Sequence, residues 1–168
     1  MIEWAKNIQE PKLIIKRYIF SGYTLEDIMS KACDYMKQSG IDSDNIDSKF
    51  NIEITERTTK HGFYMRFHRD DYRFDENAFR RGIRDDSLWI PIYNKGKRPV
   101  MTIIWYQSIQ GIDFIGGKLK FYDGYIVDPM IHHAVLFDSN DLHKVTNQHT
   151  KANLTDERKV IIIKFYEK

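Results

Sequence analysis

The sequence has a single cysteine, Cys33, which excludes an internal disulfide and any metal site built from several thiolates. A reducing, cytoplasmic setting is the expectation. No apolar run approaches the roughly 18 residues needed to cross a bilayer. The opening MIEWAKNIQEPK has no basic segment leading into an apolar core, so neither a membrane span nor a secretory signal is expected. Charge of one sign is also missing. The 26 basic and 24 acidic side chains leave a formal charge of +2, which makes no strong electrostatic case for nucleic acid or a membrane surface. No repeat or low-complexity tract occurs.

What is present fits a soluble globular domain: 42% hydrophobic residues, 14% aromatic and 30% charged. The aromatic content suits a β-rich core. A length of 168 residues allows one domain with a real core, expected over 1–168, with residues 1–49 supporting a core formed by 50–168.

Residues 12–20 (KLIIKRYIF) read as a strand that Ser21-Gly22 ends. A helix should follow, capped by Thr24 with Asp27 in the capping-box position. Leu25, Ile28, Met29, Ala32, Cys33 and Met36 recur at helical spacing, and Gly40 closes the run. The acidic connection 41–49 (IDSDNIDSK) lacks the central glycine and closing Glu of a calcium loop. From residue 50 the pattern is of short strands, at 50–58, 63–68, 99–106, 117–122, 133–138, 142–146 and 158–166, which suggests a sandwich or barrel. Asp123-Gly124 reads as a tight hairpin turn. Residues 71–97 interrupt the series and read as too charged and irregular for core, either a segment covering the substrate or a solvated insertion.

His68-Arg69-Asp70 places an imidazole and a carboxylate two residues apart, the spacing at which strand side chains share a face. Both can reach one cation. His143 brings a second imidazole at the start of another strand. Two imidazoles and one carboxylate on one face of an octahedral metal leave three positions open, the arrangement of non-haem iron oxygenases. Asp71 is the rival to Asp70, though strand parity favours Asp70. His132 and His133 are adjacent, so on a strand they point oppositely, and no carboxylate stands at the matching spacing; His61 sits in a Lys-His-Gly turn and His149 in the long hairpin loop. Strict alternation also puts Tyr64 and Arg66 on the face of His68, which calls for a polar pocket wall or a bulge.

After the His-x-Asp come Gly116-Gly117-Lys118-Leu119-Lys120-Phe121, then Ala134-Val135-Leu136-Phe137, Asn140-Asp141-Leu142-His143-Lys144-Val145, and Arg158 opening the last strand. In this order the motifs resemble the prolyl 4-hydroxylase-like branch of the 2-oxoglutarate and Fe(II) dependent oxygenases, from about residue 50 to 166. The resemblance implies a mainly β fold with supporting α: a double-stranded β-helix, or jelly roll, with the N-terminal helix packed outside. It implies Fe(II) held by His68, Asp70 and His143, with 2-oxoglutarate and O2 as cosubstrates and ascorbate as a further cofactor. Arg158 matches the residue that binds the distal carboxylate of 2-oxoglutarate, a task suited to a guanidinium. Tyr106 and Leu119 match a hydroxyl and an apolar contact to the same cosubstrate.

The interval from His143 to Arg158 is longer than is usual in that branch, so NQHTKANLTD should form an extended hairpin loop and Lys159 and Lys164 compete for the role of Arg158. Because Asp70 is present, hydroxylation is expected rather than the halogenation of relatives that lack the carboxylate. The closest resemblance is to enzymes that hydroxylate a prolyl or other residue of a polypeptide. Rival readings are an oxygenase of nucleic acid, using Arg69, Arg73, Arg80, Arg81 and Arg84; an oxygenase of a free amino acid or other small metabolite; and a non-catalytic β-barrel binding protein. Oligomeric state is open.

Overall fold

The computed structural model describes residues 13–94, 96–149 and 157–168. The N-terminal part contains β1 (Tyr18–Ser21), helix α1 (Leu25–Gln38) and a single turn α2 (Ile46–Lys49). Strands β2 (Phe50–Thr59) and β3 (Met65–His68) follow, then β4 (Tyr72–Phe74), α3 (Glu76–Arg80) and β5 (Trp89–Pro91). The remainder holds β6 (Pro99–Tyr106), β7 (Ile115–Gly116), β8 (Leu119–Phe121), β9 (Ile126–Val127), β10 (His133–Asp138), β11 (His143–Val145), β12 (Gln148–His149) and β13 (Arg158–Glu167).

Two antiparallel sheets face each other as a jelly-roll core. One has the order β1-β10-β6-β13-β2, the other β3-β11-β8-β9. Strands β6, β10 and β13 are covered on both faces, so apolar residues occupy both parities. Met101, Ile103, Trp105, Leu136, Ile163 and Phe165 pack under α1, while Ile104, Tyr106, Val135, Phe137 and Val160 face the second sheet and meet Leu119 and Phe121. Helix α1 forms as its pattern predicts. Thr24 Oγ1 accepts from the Asp27 amide at 3.1 Å, and Ile28, Ala32 and Met36, spaced four apart, are fully buried.

Strand β1 begins later than expected, at Tyr18. The amides of Ile14 and Ile15 donate to the Asp138 carboxylate at 2.8 and 3.0 Å, and so leave the ladder; residue 12 lies outside the described residues. The Asp123-Gly124 turn joins β8 to β9, with Gly124 at φ 97°. Most of the expected extended hairpin loop, residues 150–156, also lies outside the described residues.

The reading of residues 71–97 as too irregular for core is corrected. This segment folds as the β4–β5 pair with α3 between, around buried Ala78, Leu88 and Trp89, and Tyr72, Phe74 and Phe79 pack against them. The aromatic side chains supply enough apolar surface for a satellite cluster despite the charge around them.

Candidate functional site

His68 ends β3 and His143 begins β11, and the two are direct antiparallel partners. Their rings therefore lie side by side, with centroids 4.3 Å apart. Just past β3, the Asp70 amide donates to Ser139 O at 2.7 Å, which turns the carboxylate back toward the imidazoles. Asp70 Oδ1 lies 3.4 Å from His68 Nε2 and 3.3 Å from His143 Nε2. One ligand atom from each of the three residues falls within 4.8 Å of the others.

Each imidazole is oriented by a carbonyl. His68 Nδ1 lies 2.6 Å from Arg66 O and His143 Nδ1 lies 2.6 Å from Asp141 O. A carbonyl only accepts, so the proton sits on Nδ1 and Nε2 keeps the lone pair a metal needs. Burial and the neighbouring His143 push His68 below its ordinary pKa. For His143, burial works against the charged form, but Asp70 outweighs it and carries the pKa above the ordinary value. Burial alone would raise Asp70, yet the two histidines hold it well below the usual carboxylate range. The three groups form a compact N,N,O donor set.

Asp71, the rival carboxylate, is engaged elsewhere. It binds Arg69 at 2.6 Å and Arg98 at 3.2 Å. The expected tension around Tyr64 and Arg66 resolves through an irregular register: His143 pairs with His68 but Val145 pairs with Met65, two residues against three. Arg66 lies on the pocket wall, 3.0 Å from the Glu76 carboxylate.

The triad opens into a cavity of about 440 Å³ between the two sheets. Tyr72, Phe74 and Trp89 of the 71–97 segment form part of its wall. Arg158 also lines it and is only 3% exposed. Its Nε donates to Gly117 O at 3.2 Å. Among the described residues no carboxylate pairs with Arg158, and burial together with nearby Arg57 lowers its pKa. A buried guanidinium without an anion is costly, so this position is suited to an incoming carboxylate. The competing lysines separate by parity: Lys159 is exposed and pairs with Glu157 at 3.2 Å, whereas Lys164 lines the same cavity, six residues from Arg158 along β13.

Tyr106 and Leu119 are fully buried, and neither is among the residues lining the cavity. Leu119 packs with Phe121 and Val135 in the inter-sheet core. Tyr106 lies behind Arg158, whose Cζ is 5.6 Å from the ring centroid, and its buried hydroxyl faces the guanidinium.

Four residues that hold the site were not anticipated from sequence. The corner between β10 and β11 supplies Ser139 O to Asp70 and Asp141 O to His143. Its two acids are gripped by the N-terminal segment: Asp138 by the amides of Ile14 and Ile15, and Asp141 by Arg17 through Nε and Nη2 at 2.8 and 2.9 Å. Arg17 also reaches Asp123 at 2.8 Å and stacks 3.8 Å over the Phe121 ring.

No protein-family model matches the sequence, and no curated protein matches it. By structure the chain is similar to the viral collagen prolyl hydroxylase of Paramecium bursaria Chlorella virus-1 in its 2OG complex. That match has 16% identity and a TM-score of 0.54, covering 91% of this chain and 79% of that one. A truncated form of the same enzyme gives 17% identity, 91% and 76% coverage and a TM-score of 0.53. A prolyl-4-hydroxylase from Pseudomonas putida gives 17% identity, 90% and 71% coverage and a TM-score of 0.49. The chain thus has the jelly-roll fold of the prolyl-hydroxylase-like 2-oxoglutarate/Fe(II) oxygenases.

Proposed function

We propose that the chain is an Fe(II)- and 2-oxoglutarate-dependent hydroxylase, in which His68, Asp70 and His143 hold the metal and Arg158 takes the distal carboxylate of 2-oxoglutarate. The observation that carries this reading is a buried guanidinium with no carboxylate partner among the described residues, in the same cavity as a compact histidine-aspartate-histidine donor set. A charged residue is buried this deeply at little profit to the fold, and a dicarboxylate cosubstrate supplies the missing anion.

The donor set fits ferrous iron: two neutral imidazoles and one carboxylate from one side, with the cavity on the other. Bound iron would supply the oxidising chemistry, coupling decarboxylation of 2-oxoglutarate by O2 to hydroxylation of an unactivated C–H bond. The chain's own groups do the positioning. Arg66 O and Asp141 O keep protons on the two Nδ1 atoms, so both Nε2 atoms stay available. Arg158 orients the cosubstrate by charge, and the buried Tyr106 hydroxyl stands behind it and faces the guanidinium. The aromatic wall from residues 71–97 limits water around the reacting bond.

A residue within a polypeptide is the substrate we infer. The nucleic-acid reading loses two of its five arginines: Arg69 is held by Asp71, and Arg84 by the carbonyls of Phe79 and Ile83. Succinate release with Fe(II), 2-oxoglutarate and O2, together with mass spectrometry for a gain of one oxygen atom, tests the proposal. Absence of both with peptide, oligonucleotide and amino-acid pools would leave a binding protein.

A further inference from the structure

The whole chain is almost balanced in charge, at +2. Its charges are not evenly placed. A second cavity of about 480 Å³ adjoins the first along β3, and Tyr64, Met65, Arg66, Phe67 and Val145 border both. The second cavity adds Lys118 and Lys144 and no acid. The cations of the joined track are Arg57, Arg66, Arg69, Arg73, Lys118, Lys144, Arg158 and Lys164, and its acids are Asp70 and Glu76.

Several of these charges are already spoken for. Arg66 faces Glu76, Arg69 binds Asp71, Lys118 pairs with Asp128 at 3.2 Å, and Arg158 and Asp70 belong to the proposed cosubstrate and metal sites. Among the described residues, Arg57, Arg73, Lys144 and Lys164 have no carboxylate partner. They are spread along the track rather than gathered at one point. Lys164 stands on β13 at the first cavity and Lys144 on β11 at the second, so one small anion cannot satisfy both. An extended anionic chain can.

Single-stranded nucleic acid and acidic polypeptide are two chains that carry such charge. A single-stranded nucleic acid would need open aromatic faces for its bases to stack on. Here three of those faces are capped by the protein's own cations, Arg57 over Phe63 at 5.3 Å, Arg66 over Phe74 at 5.1 Å and Lys144 over Phe67 at 5.1 Å, which leaves the exposed Tyr64 as a lone open ring rather than a row of platforms. A polypeptide needs no stacking platform. In addition, among the described residues β3 is an edge strand, joined in its sheet only to β11, and such an edge can accept an added strand.

We propose that the substrate is an acidic polypeptide segment running along β3 from the first cavity into the second, its carboxylates met by Arg57, Arg73, Lys144 and Lys164. This rests on reading the first cavity as an oxygenase site. Charge complementarity of this kind sets partner choice and the rate of encounter more than raw affinity.

The test uses the full chain with Mn(II) and 2-oxoglutarate under argon, and fluorescence anisotropy of labelled fifteen-residue peptides. The peptides carry a central proline and, at alternate flanking positions, either Glu, Gln or Lys. The Glu peptide should bind about tenfold more tightly than the Gln peptide, with the Lys peptide weakest and the advantage fading in high salt. Lys144→Glu and Lys164→Glu should each erase most of that advantage, whereas Lys37→Glu, on α1 behind the other face of the sheet, should not. Equal binding of the Glu and Gln peptides, no binding of the Glu peptide, or tighter binding of a fifteen-nucleotide oligothymidylate would overturn the proposal. Succinate release is scored separately. Selective Glu-peptide binding without succinate would retain the track and remove the oxygenase reading; succinate without Glu selectivity would do the reverse.

Discussion

Gly117 has φ +60°, and a Cβ there would lie 2.7 Å from Arg158 Cδ and 3.0 Å from its Nε. Gly116 is tighter still, since a Cβ would meet Asn147 O at 2.0 Å. Gly117 is thus the surface against which Arg158 lies and Gly116 the one against the Asn147 backbone, which gives the motif read in the sequence a physical reason. Gly117→Ala should displace the guanidinium and raise the KM for 2-oxoglutarate by about tenfold, at a backbone cost of roughly 1 kcal/mol, while Mn(II) affinity by calorimetry stays unchanged. Arg158→Met separates function from packing. If Arg158 awaits a carboxylate, its loss should cost about 2 to 5 kcal/mol of cosubstrate binding, yet the cosubstrate-free protein should melt no lower because a buried unpaired charge has gone. A lower melting temperature with normal 2-oxoglutarate binding would make Arg158 a structural cation instead. His143→Ala should abolish Mn(II) binding by calorimetry; retained affinity would remove His143 from the ligand set.

Strand parity made Arg158 legible against Lys159, and the order of short strands placed His143 opposite His68; Asp70, read by the same parity, instead lies in the turn past β3 and reaches the imidazoles through its amide hydrogen bond to Ser139 O. The corner that holds the metal-ligand candidates was not legible. Arg17 and Asp141 are 124 residues apart, and nothing local in Ile14 to Arg17 marks them as partners of a β10–β11 turn. The satellite core in 71–97 was hidden for a related reason: its buried residues follow no helical or strand period and are outnumbered by charges. The N-terminal segment thus acts on the site without touching it, through Asp138 and Asp141 to the carbonyls that hold Asp70 and His143. Arg17→Met should lower Mn(II) affinity by about tenfold, the lower end of the loss seen when a partner orienting a metal ligand is removed. Asp123→Asn leaves the Arg17–Asp141 pair in place and should not. If Arg17→Met lowers the melting temperature but binds Mn(II) normally, the segment is a staple and nothing more.

The protons of the triad connect local geometry to the stability of the entire fold. A histidine whose folded pKa is raised adds stability that is complete below its unfolded value and lost as pH climbs through the folded value. His143 is such a group, relative to an ordinary 6.5. His68 is displaced the other way from 6.5, so its contribution is lost as pH falls below that value. Asp70, held well below 3.8, withdraws its share only in stronger acid, as pH falls through its folded pKa. The metal-free protein should therefore melt highest near or just above pH 6.5 and lose stability on either side. Metal loading reverses the alkaline limb, because a bound ion needs both Nε2 atoms free of protons. The gain in melting temperature from saturating Mn(II) should be small at about pH 5.5 and grow steadily to about pH 8. Parallel thermal scans in EDTA and in Mn(II) read this directly, and a metal-induced gain independent of pH would mean that the ion binds away from His143.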